Sequence, residues 1–582
     1  MNPRCEVIEP TTQAGGKAVR LQRASGGPDL AKLVWAFSAA LLIYLIVVPF
    51  GYMAYECLTD AQGRVTLANL PKYFGMAFVL EATANTFLLS AAVTLLSVLV
   101  GVPLAFGVSR TDMWGKGLVR STVLISIITP PFLRAIAYVI LAGPNVGYLN
   151  QLLRFLLGLS AESGPLDIFS AWGFVVLSIP GGVAFVFLQT ASAFENMDPS
   201  LEEGARLAGA TPRQVAFRIT LPMAKHAVLS GALLAFSVSL AMYGIPHILN
   251  VNVLTIAIRK SLLMPLDFKA ASTLSMVVLA ASLLTLWLYR LSVRSAKKFQ
   301  TITGRGFRPG VMRLGRWRHG FTALGLLYGV FAFVLPYGML VLVSFMRRMG
   351  YGLELDNFTL RNYLYIWTEP LPRTAILNSL ILATASSTLV VLLGIVIGYI
   401  IARTRVRGRA ILDYLAILPL GIAGTALSVG LIIVYLNPPL SALGVYATLW
   451  ILLIAYVTRF IPFGVRYCQT AFMQVSQELE EAARLGGANW FQTVRHILLP
   501  LIKRGALYAW IVAFLSAFPE LSASILLRNI GTDVVATAIL DMWDGTGGLP
   551  AASALSVMVF LLLTLLVLLA QRVTGRSMLE RS

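Results

Sequence analysis

The chain contains 582 residues, of which 57% are hydrophobic and only 12% are charged, and its mean hydropathy is +0.78. Soluble globular domains carry about 25% charged residues, so this composition excludes an ordinary soluble protein. The net charge is +20, and the basic residues lie between apolar segments. This placement indicates that they orient the chain in a lipid bilayer rather than bind nucleic acid. We therefore expect an all-α polytopic membrane protein.

Twelve apolar segments follow one another, and each is long enough to cross a bilayer, which takes about 20 helical residues. They predict two transmembrane domains, 33–290 and 321–571, a linker at 291–320, and tails at 1–32 and 572–582. The predicted spans are 33–55, 83–108, 121–142, 167–194, 223–248 and 268–290, followed by 321–345, 376–402, 411–435, 443–471, 501–524 and 551–571.

The basic residues predict the orientation of these spans. Connections 109–120, 291–320 and 403–410 hold fifteen Lys and Arg in 50 residues, and the connections on the other side hold about a quarter of that density. Because Lys and Arg are enriched on cytoplasmic loops, we expect both termini and these three connections in the cytoplasm.

An internal repeat divides the chain into two similar halves. A segment that begins at Leu201 recurs from Leu479, and its tail that ends at Pro222 recurs at Pro500, with all pairs 278 positions apart. Two halves of six spans in the same order predict parallel repeats, related by an axis along the membrane normal. A second match, 293 positions apart, pairs Asn85, Gly101, Arg110 and Thr111 with Asn378, Gly394, Arg403 and Thr404.

Each repeated segment lies between the fourth and fifth spans of its half and predicts a helix–Gly–helix elbow. Asp198 and Ser476 can accept hydrogen bonds at the start of the first helix, which is rich in Glu, Ala, Leu and Arg. Gly209 and Gly487 predict a tight turn at which a side chain would obstruct the chain. A second short helix is expected to end at the Leu-Pro pair of each copy.

The spacing Glu-x-Ala-x3-Gly-x9-Ile-x-Leu-Pro, present twice, resembles the EAA motif of permeases in binding-protein-dependent ABC importers. The resemblance implies the type I ABC importer transmembrane fold, in which each elbow is a coupling helix for an ATPase. It also implies two copies of an ABC ATPase subunit, a periplasmic solute-binding protein, and a bacterial inner (plasma) membrane location. The residues implied to couple to the ATPase are Glu203, Gly204, Ala205, Gly209, Leu221, Pro222, Glu481, Ala482, Ala483, Gly487, Leu499 and Pro500.

The sequence has no G-x4-G-K-[S/T] motif to hold a nucleotide phosphate. We expect no enzymatic activity, because ATP hydrolysis would belong to a separate subunit, and we expect neither a cofactor nor a metal site. An alternative class is a secondary transporter driven by a coupled ion. Such a transporter should carry paired charges and broken helices at corresponding places of both halves.

Segments 304–309 and 519–524 resemble ferric-iron importer permeases, so iron(III) is the expected cargo. Similar chains are assigned to 2-aminoethylphosphonate, thiamine, polyamine or sulfate uptake, and these remain alternatives. Arg134, Arg459 and Glu520 are candidates for the translocation pathway, because ionisable groups inside spans are costly to bury. The other interpretation is a structural ion pair, or side chains that extend towards the interface.

Overall fold

The computed structural model of the chain describes residues 30–60, 62–159, 164–198, 200–263, 266–297, 311–349, 354–404, 406–545 and 547–574. Within these ranges the regular structure is helical, apart from three isolated β-bridges, which confirms the expected all-α class. Segment 304–309, most of the N-terminal tail and the end of the C-terminal tail lie outside the described residues.

Within the described ranges the helices form two similar series, and five short α-helices lie in the connections between them. Helices α1 to α10 are Lys32–Cys57, Ala77–Arg110, Lys116–Ile128, Pro131–Ala142, Ala171–Glu195, Ser200–Leu207, Pro212–Met223, Lys225–Leu240, Leu254–Leu263 and Phe268–Lys297. Helices α11 to α19 are Trp317–Ser344, Pro370–Arg403, Arg409–Gly421, Gly424–Leu436, Leu449–Met473, Gln477–Leu485, Phe491–Ala517, Val535–Asp544 and Gly548–Thr574. The short helices are Asn69–Phe74, Tyr148–Leu157, Gly244–Ile248, Arg361–Thr368 and Ser524–Leu527.

Nine helices in the described ranges are long and apolar enough to cross a membrane, and up to twelve spans result if each bent pair counts as one. The bent pairs are α3 with α4 (104°), α7 with α8 (62°) and α13 with α14 (111°). The predicted spans 121–142 and 411–435 each coincide with a sharply bent pair rather than with one continuous helix. The predicted spans 223–248 and 501–524 are too long, because their helices end at Leu240 and Ala517.

The two sharp breaks have different local causes. In the first half, Thr129 and Pro130 are extended, because a residue that precedes proline is pushed out of the helical region. In the second half, Ile422 and Ala423 are extended, and Gly424 opens the next helix where a Cβ atom would lie 2.2 Å from the Arg459 Nη1 atom.

The described residues contain four single-turn π-helical segments, one each in α1, α7, α11 and α17, and each ends two residues before a proline. The prolines are Pro49, Pro222, Pro336 and Pro500. Proline has no N–H to donate and its ring crowds the carbonyl four residues earlier. A wider π turn relieves this conflict, so these helices continue through their prolines.

The first helix of each half packs on the broken helix of the other half. The hydroxyl groups of Tyr44 in α1 and Tyr435 in α14 are hydrogen-bonded at 2.7 Å. In the symmetric contact, the Tyr138 hydroxyl in α4 donates to the Phe331 carbonyl in α11 at 2.7 Å. The halves are therefore interlocked rather than placed side by side.

The residues of the second repeat match make equivalent contacts in both halves. The Asn85 amide donates to the Asn252 carbonyl, and the Asn378 amide donates to the Asp533 carbonyl, both at 2.9 Å. A Cβ atom on Gly101 in α2 would lie 3.1 Å from Val186 in α5, and one on Gly394 in α12 would lie even closer to α15. Small residues permit this close helix packing.

Candidate functional site

Both predicted elbows are present and are built alike. The first elbow comprises residues 200–223 (α6 and α7), and the second comprises residues 477–501 (α16 and the start of α17). The Asp198 carboxylate accepts the N–H of Ser200 at 2.8 Å, and the Ser476 hydroxyl accepts the N–H of Glu478 at 3.2 Å. Pro199, within the predicted helix start, lies outside the described residues. We call the end of the molecule that carries the elbows the elbow face.

The glycine turns are confirmed, but the expected reason for them is wrong. Gly209 has a φ of +85° and Gly487 a φ of +84°. A Cβ atom at either position would meet no other atom within 4 Å. Glycine is therefore favoured by its backbone conformation, which other L-residues adopt only at a cost, and not by crowding.

The expectation that the second helix of each elbow ends at its proline holds to within one residue in the first half and is wrong in the second. In the first half α7 continues to Met223 and bends by 62° into α8 near Ala224. In the second half α17 runs without a break from the elbow to Ala517. The first elbow is therefore joined to its fifth span by a bend, and the second by a straight helix.

Most of the residues implied to couple to an ATPase are at the surface of the elbows. Leu207 and Leu485, which are 278 positions apart, are each 90% exposed, so each elbow presents an apolar side chain beside an exposed acid. The exposed members of the implied set are Glu203, Gly204, Gly209, Pro222, Glu481, Ala482, Gly487, Leu499 and Pro500, and Ala205, Leu221 and Ala483 are half-buried.

Sequence reasoning missed the buried acid that precedes the exposed one in each elbow. Glu202 Oε1 lies 3.4 Å from Arg110 Nη2, and Glu480 Oε1 lies 3.4 Å from Arg403 Nε. These arginines are the last residues of α2 and α12. Both acids and both arginines belong to the two internal repeats, which mark them as repeated residues without showing that they meet.

Two of the three pathway candidates form one ion pair, and the third is separate. Arg459 Nε lies 3.7 Å from Glu520 Oε1, which also accepts the N–H of Ala523 at 2.8 Å. With Gly424 at the helix break, these two side chains form what we call the charged junction. Arg134, which is buried, instead donates from Nη1 to the Leu177 carbonyl of its own half at 2.9 Å.

The charged junction adjoins the contact between the halves. Leu521, the residue after Glu520, has its Cδ2 atom 3.1 Å from where a Cβ atom would stand on Gly244 of the first half. Gly244 lies just after α8 and Leu521 just after α17, so the ends of the two fifth spans meet here.

One contact joins the halves at the end opposite the elbows, and an ion pair within the second half lies near it. His247 Nε2 lies 3.7 Å from Asp544 Oδ2 of the second half. Burial lowers the pKa of His247, and the nearby Arg259 lowers this pKa further. Arg528 binds Asp541 at 2.8 Å; burial lowers the pKa of Arg528, but Asp541 and a second carboxylate outweigh it and hold this pKa above its ordinary value.

The two halves correspond in their helix breaks but not in their charges. The α3–α4 and α13–α14 breaks occupy equivalent positions, which meets one criterion for a secondary transporter. By the repeat offsets, however, Glu520 corresponds to Met242 and Arg459 to Gly181, so paired charges are not repeated. Broken helices alone do not separate the two classes of transporter.

Comparison with known proteins separates them. Residues 97–298 and 394–579 match the family of binding-protein-dependent transport system inner membrane components. The chain is 26% identical to the ferric transport system permease protein FbpB of Actinobacillus pleuropneumoniae, over 88% of this chain and 73% of the relative. It is 23% identical to the Fe(3+)-transport system permease protein FbpB 2 of Haemophilus influenzae, over 89% of this chain and 94% of the relative.

A shorter relative is the molybdate/tungstate transport system permease protein WtpB of Pyrococcus abyssi, at 29% identity over 38% of this chain and 77% of the relative. The two segments that match the family model fall one in each half, and each contains one elbow and one sharply broken helix pair, α3–α4 or α13–α14. The chain therefore belongs to the binding-protein-dependent transport system inner membrane component family, as a fused, multi-pass ABC importer permease with two copies of the family domain.

Proposed function

We propose that this permease forms the pathway for a small solute delivered by a periplasmic binding protein, and that its two elbows bind two copies of an ABC ATPase subunit. The elbow face would be cytoplasmic, as would both termini, in agreement with the density of basic residues. ATP hydrolysis would take place on the ATPase subunits, and this chain would convert their movement into rearrangement of its two halves.

The single observation that carries this proposal is the duplicated elbow. Each copy presents an exposed acid, Glu203 or Glu481, and a leucine that is 90% exposed, Leu207 or Leu485. Because the two elbows expose an apolar side chain at the same position, we expect each elbow to bind an equivalent surface of a partner. Two identical ATPase subunits would supply such a pair.

The cargo we propose is iron(III), supported by the ferric transport relatives, which match most of this chain. The alternatives are 2-aminoethylphosphonate, thiamine, polyamine and sulfate. The paired charges of Arg459 and Glu520 offset one another, so the charged junction offers no strong site for either sign of ion. Selectivity would therefore reside mainly in the binding protein, and the permease would provide a weakly binding path.

The experiment that tests the coupling role reverses the charge of the two exposed acids. The double variant Glu203→Lys/Glu481→Lys should insert normally but should lose both ATPase co-purification and uptake, because four units of charge change on the docking surface. The control, Glu354→Lys/Glu369→Lys, makes the same charge change at exposed positions of the opposite end and should retain ATPase co-purification. Normal co-purification and uptake in the elbow variant would refute the coupling role.

The cargo is tested separately in whole cells by uptake of radiolabelled iron(III) and of each alternative, with and without the gene for this chain. Iron(III) uptake should be the activity that is lost. Loss of uptake of another cargo, with iron(III) uptake unchanged, would refute the proposed substrate without affecting the coupling proposal.

A further inference from the structure

Two buried arginines occupy the same position in the two halves, at the ends of the longest helices. Arg110 and Arg403 are the last residues of α2 and α12, which have 34 residues each. The threonine after each arginine donates its hydroxyl back to the preceding turn, at 2.6 Å from Thr111 to the Gly107 carbonyl and 2.7 Å from Thr404 to the Ile400 carbonyl. Each arginine is thus held at a defined helix end.

Each arginine also contacts the chain just after the fourth span. Arg110 Nη2 donates to the Met197 carbonyl at 3.4 Å, and Arg403 Nη2 donates to the Val475 and Phe472 carbonyls. Met197 and Val475 are 278 positions apart, so this contact is repeated in the same register as the elbows.

The third contact of each arginine is the buried acid of the elbow, Glu202 or Glu480. The guanidinium group therefore joins three elements in each half: the end of the second span, the end of the fourth span and the first helix of the elbow. A buried ion pair that loses one partner leaves an uncompensated charge, whereas an exposed pair contributes little. These links are therefore much harder to separate than ordinary surface contacts.

We infer that Arg110 and Arg403 are positioning residues that make each elbow move as one body with the ends of its second and fourth spans. This inference rests on the proposed function, in which the elbows receive the movement of the ATPase subunits. The arginines do not reach the ATPase themselves, since the side chains of Arg110 and Arg403 are 1% and 4% exposed. They act by passing the displacement of an elbow to the second and fourth spans of the same half.

The two halves should depend on their arginine to different extents. In the first half the elbow meets its fifth span at a 62° bend, so the Arg110–Glu202 pair is the stiffer connection; the Thr220 hydroxyl supports it by donating to Glu202 at 2.7 Å. In the second half α17 is continuous. Its residue that corresponds to Thr220 by the repeat offset is the buried Leu498, which has no hydroxyl to donate. The second elbow keeps a straight connection when its arginine is lost.

The test compares Arg110→Gln and Arg403→Gln with Arg466→Gln in the full-length chain, purified from membranes with its ATPase and reconstituted in vesicles with binding protein and iron(III). Arg466 pairs with Asp413 at 3.0 Å, is partly exposed and does not touch an elbow. We expect Arg110→Gln to keep ATPase co-purification and ATP hydrolysis but to lose about tenfold in uptake. Arg403→Gln should lose less, and Arg466→Gln should resemble the wild type.

Hydrogen–deuterium exchange of segment 200–207 supplies a readout that does not depend on transport. Exchange there should become faster in Arg110→Gln than in the wild type or in Arg466→Gln. The double variant Arg110→Gln/Glu202→Gln removes both buried charges and serves as the test if the single variant does not accumulate. It should also hydrolyse ATP without normal uptake. Normal uptake and unchanged exchange in these variants would refute the inference. If the wild-type chain itself did not co-purify with the ATPase, the proposed function would be refuted instead.

Discussion

Removal of one member of the Arg459–Glu520 pair should lower the free energy of unfolding of the permease. The burial of the pair sets the size of this loss. In Glu520→Gln the amide oxygen can still accept the N–H of Ala523, which the carboxylate accepts at 2.8 Å, but the charge opposite Arg459 is lost. Loss of one partner from a fully buried pair costs about 3–5 kcal/mol, and loss from an exposed pair costs about 0–1 kcal/mol. Because Arg459 is 22% exposed, we expect about 2 kcal/mol, between these limits.

Glu520→Ala should cost about 1 kcal/mol more than Glu520→Gln, because it also removes the hydrogen bond to Ala523. The double variant Arg459→Gln/Glu520→Gln contains neither charge. It should therefore be more stable, by about 1–2 kcal/mol, than the sum of the two single changes predicts.

The assay is equilibrium unfolding of the purified chain in mixed detergent, followed by uptake in reconstituted vesicles. Additive effects of the two single changes, within about 0.5 kcal/mol, would refute the ion pair. Uptake of the double variant then distinguishes two roles. Normal uptake would assign the pair to structure, and lost uptake with recovered stability would assign it to the pathway.

Three further predictions concern orientation, the elbow turns and the end opposite the elbows. A cysteine at exposed Arg316 should resist a membrane-impermeant thiol reagent in intact cells, whereas one at Val65, which is 85% exposed, should react; the reverse pattern would invert the proposed topology. Gly209→Ala and Gly487→Ala should each destabilise the turn by about 1–2 kcal/mol because of the positive φ, measured as faster hydrogen exchange of the elbow; unchanged exchange would argue against that turn. Asp541→Asn should destabilise the chain by only about 1 kcal/mol in detergent unfolding, since its pair with Arg528 is partly exposed; a loss of several kcal/mol would contradict this weak contribution and make the pair a main support of the second half.

The sequence predicted the class of protein, the two halves and the elbows because each depends on local signals. Apolar segments of sufficient length predict spans, and the turn at Gly209 follows from a residue that adopts positive φ readily. The Thr129–Pro130 break was also predictable in principle, because the Pro-Pro pair disfavours a continuous helix. The Ile422–Ala423 break was not, because no proline directly follows these residues, and the close approach of Arg459 to Gly424 comes from a helix that is distant in the sequence.

Which of two adjacent acids faces inward was likewise beyond local reasoning. Glu202 and Glu203 have the same helix propensity, and only the position of Arg110, 92 residues earlier in the chain, makes Glu202 the buried one. The acids belong to the repeat match at 278 positions and the arginines to the one at 293 positions. The two matches are separate, so they did not show that an acid and an arginine meet. Pairing across the fold has to come from the structure.

The central claim is that the two elbows bind ATPase subunits, and site-specific crosslinking tests it most directly. A photoreactive residue would replace Leu207 in one variant and Leu485 in another, with Val65 as the control at the opposite end of the molecule. Irradiation of native membranes should link both elbow variants to the same ABC ATPase subunit, and the Val65 variant to none. Absence of an ATPase adduct at both elbows, in membranes that still import the cargo, would contradict the account.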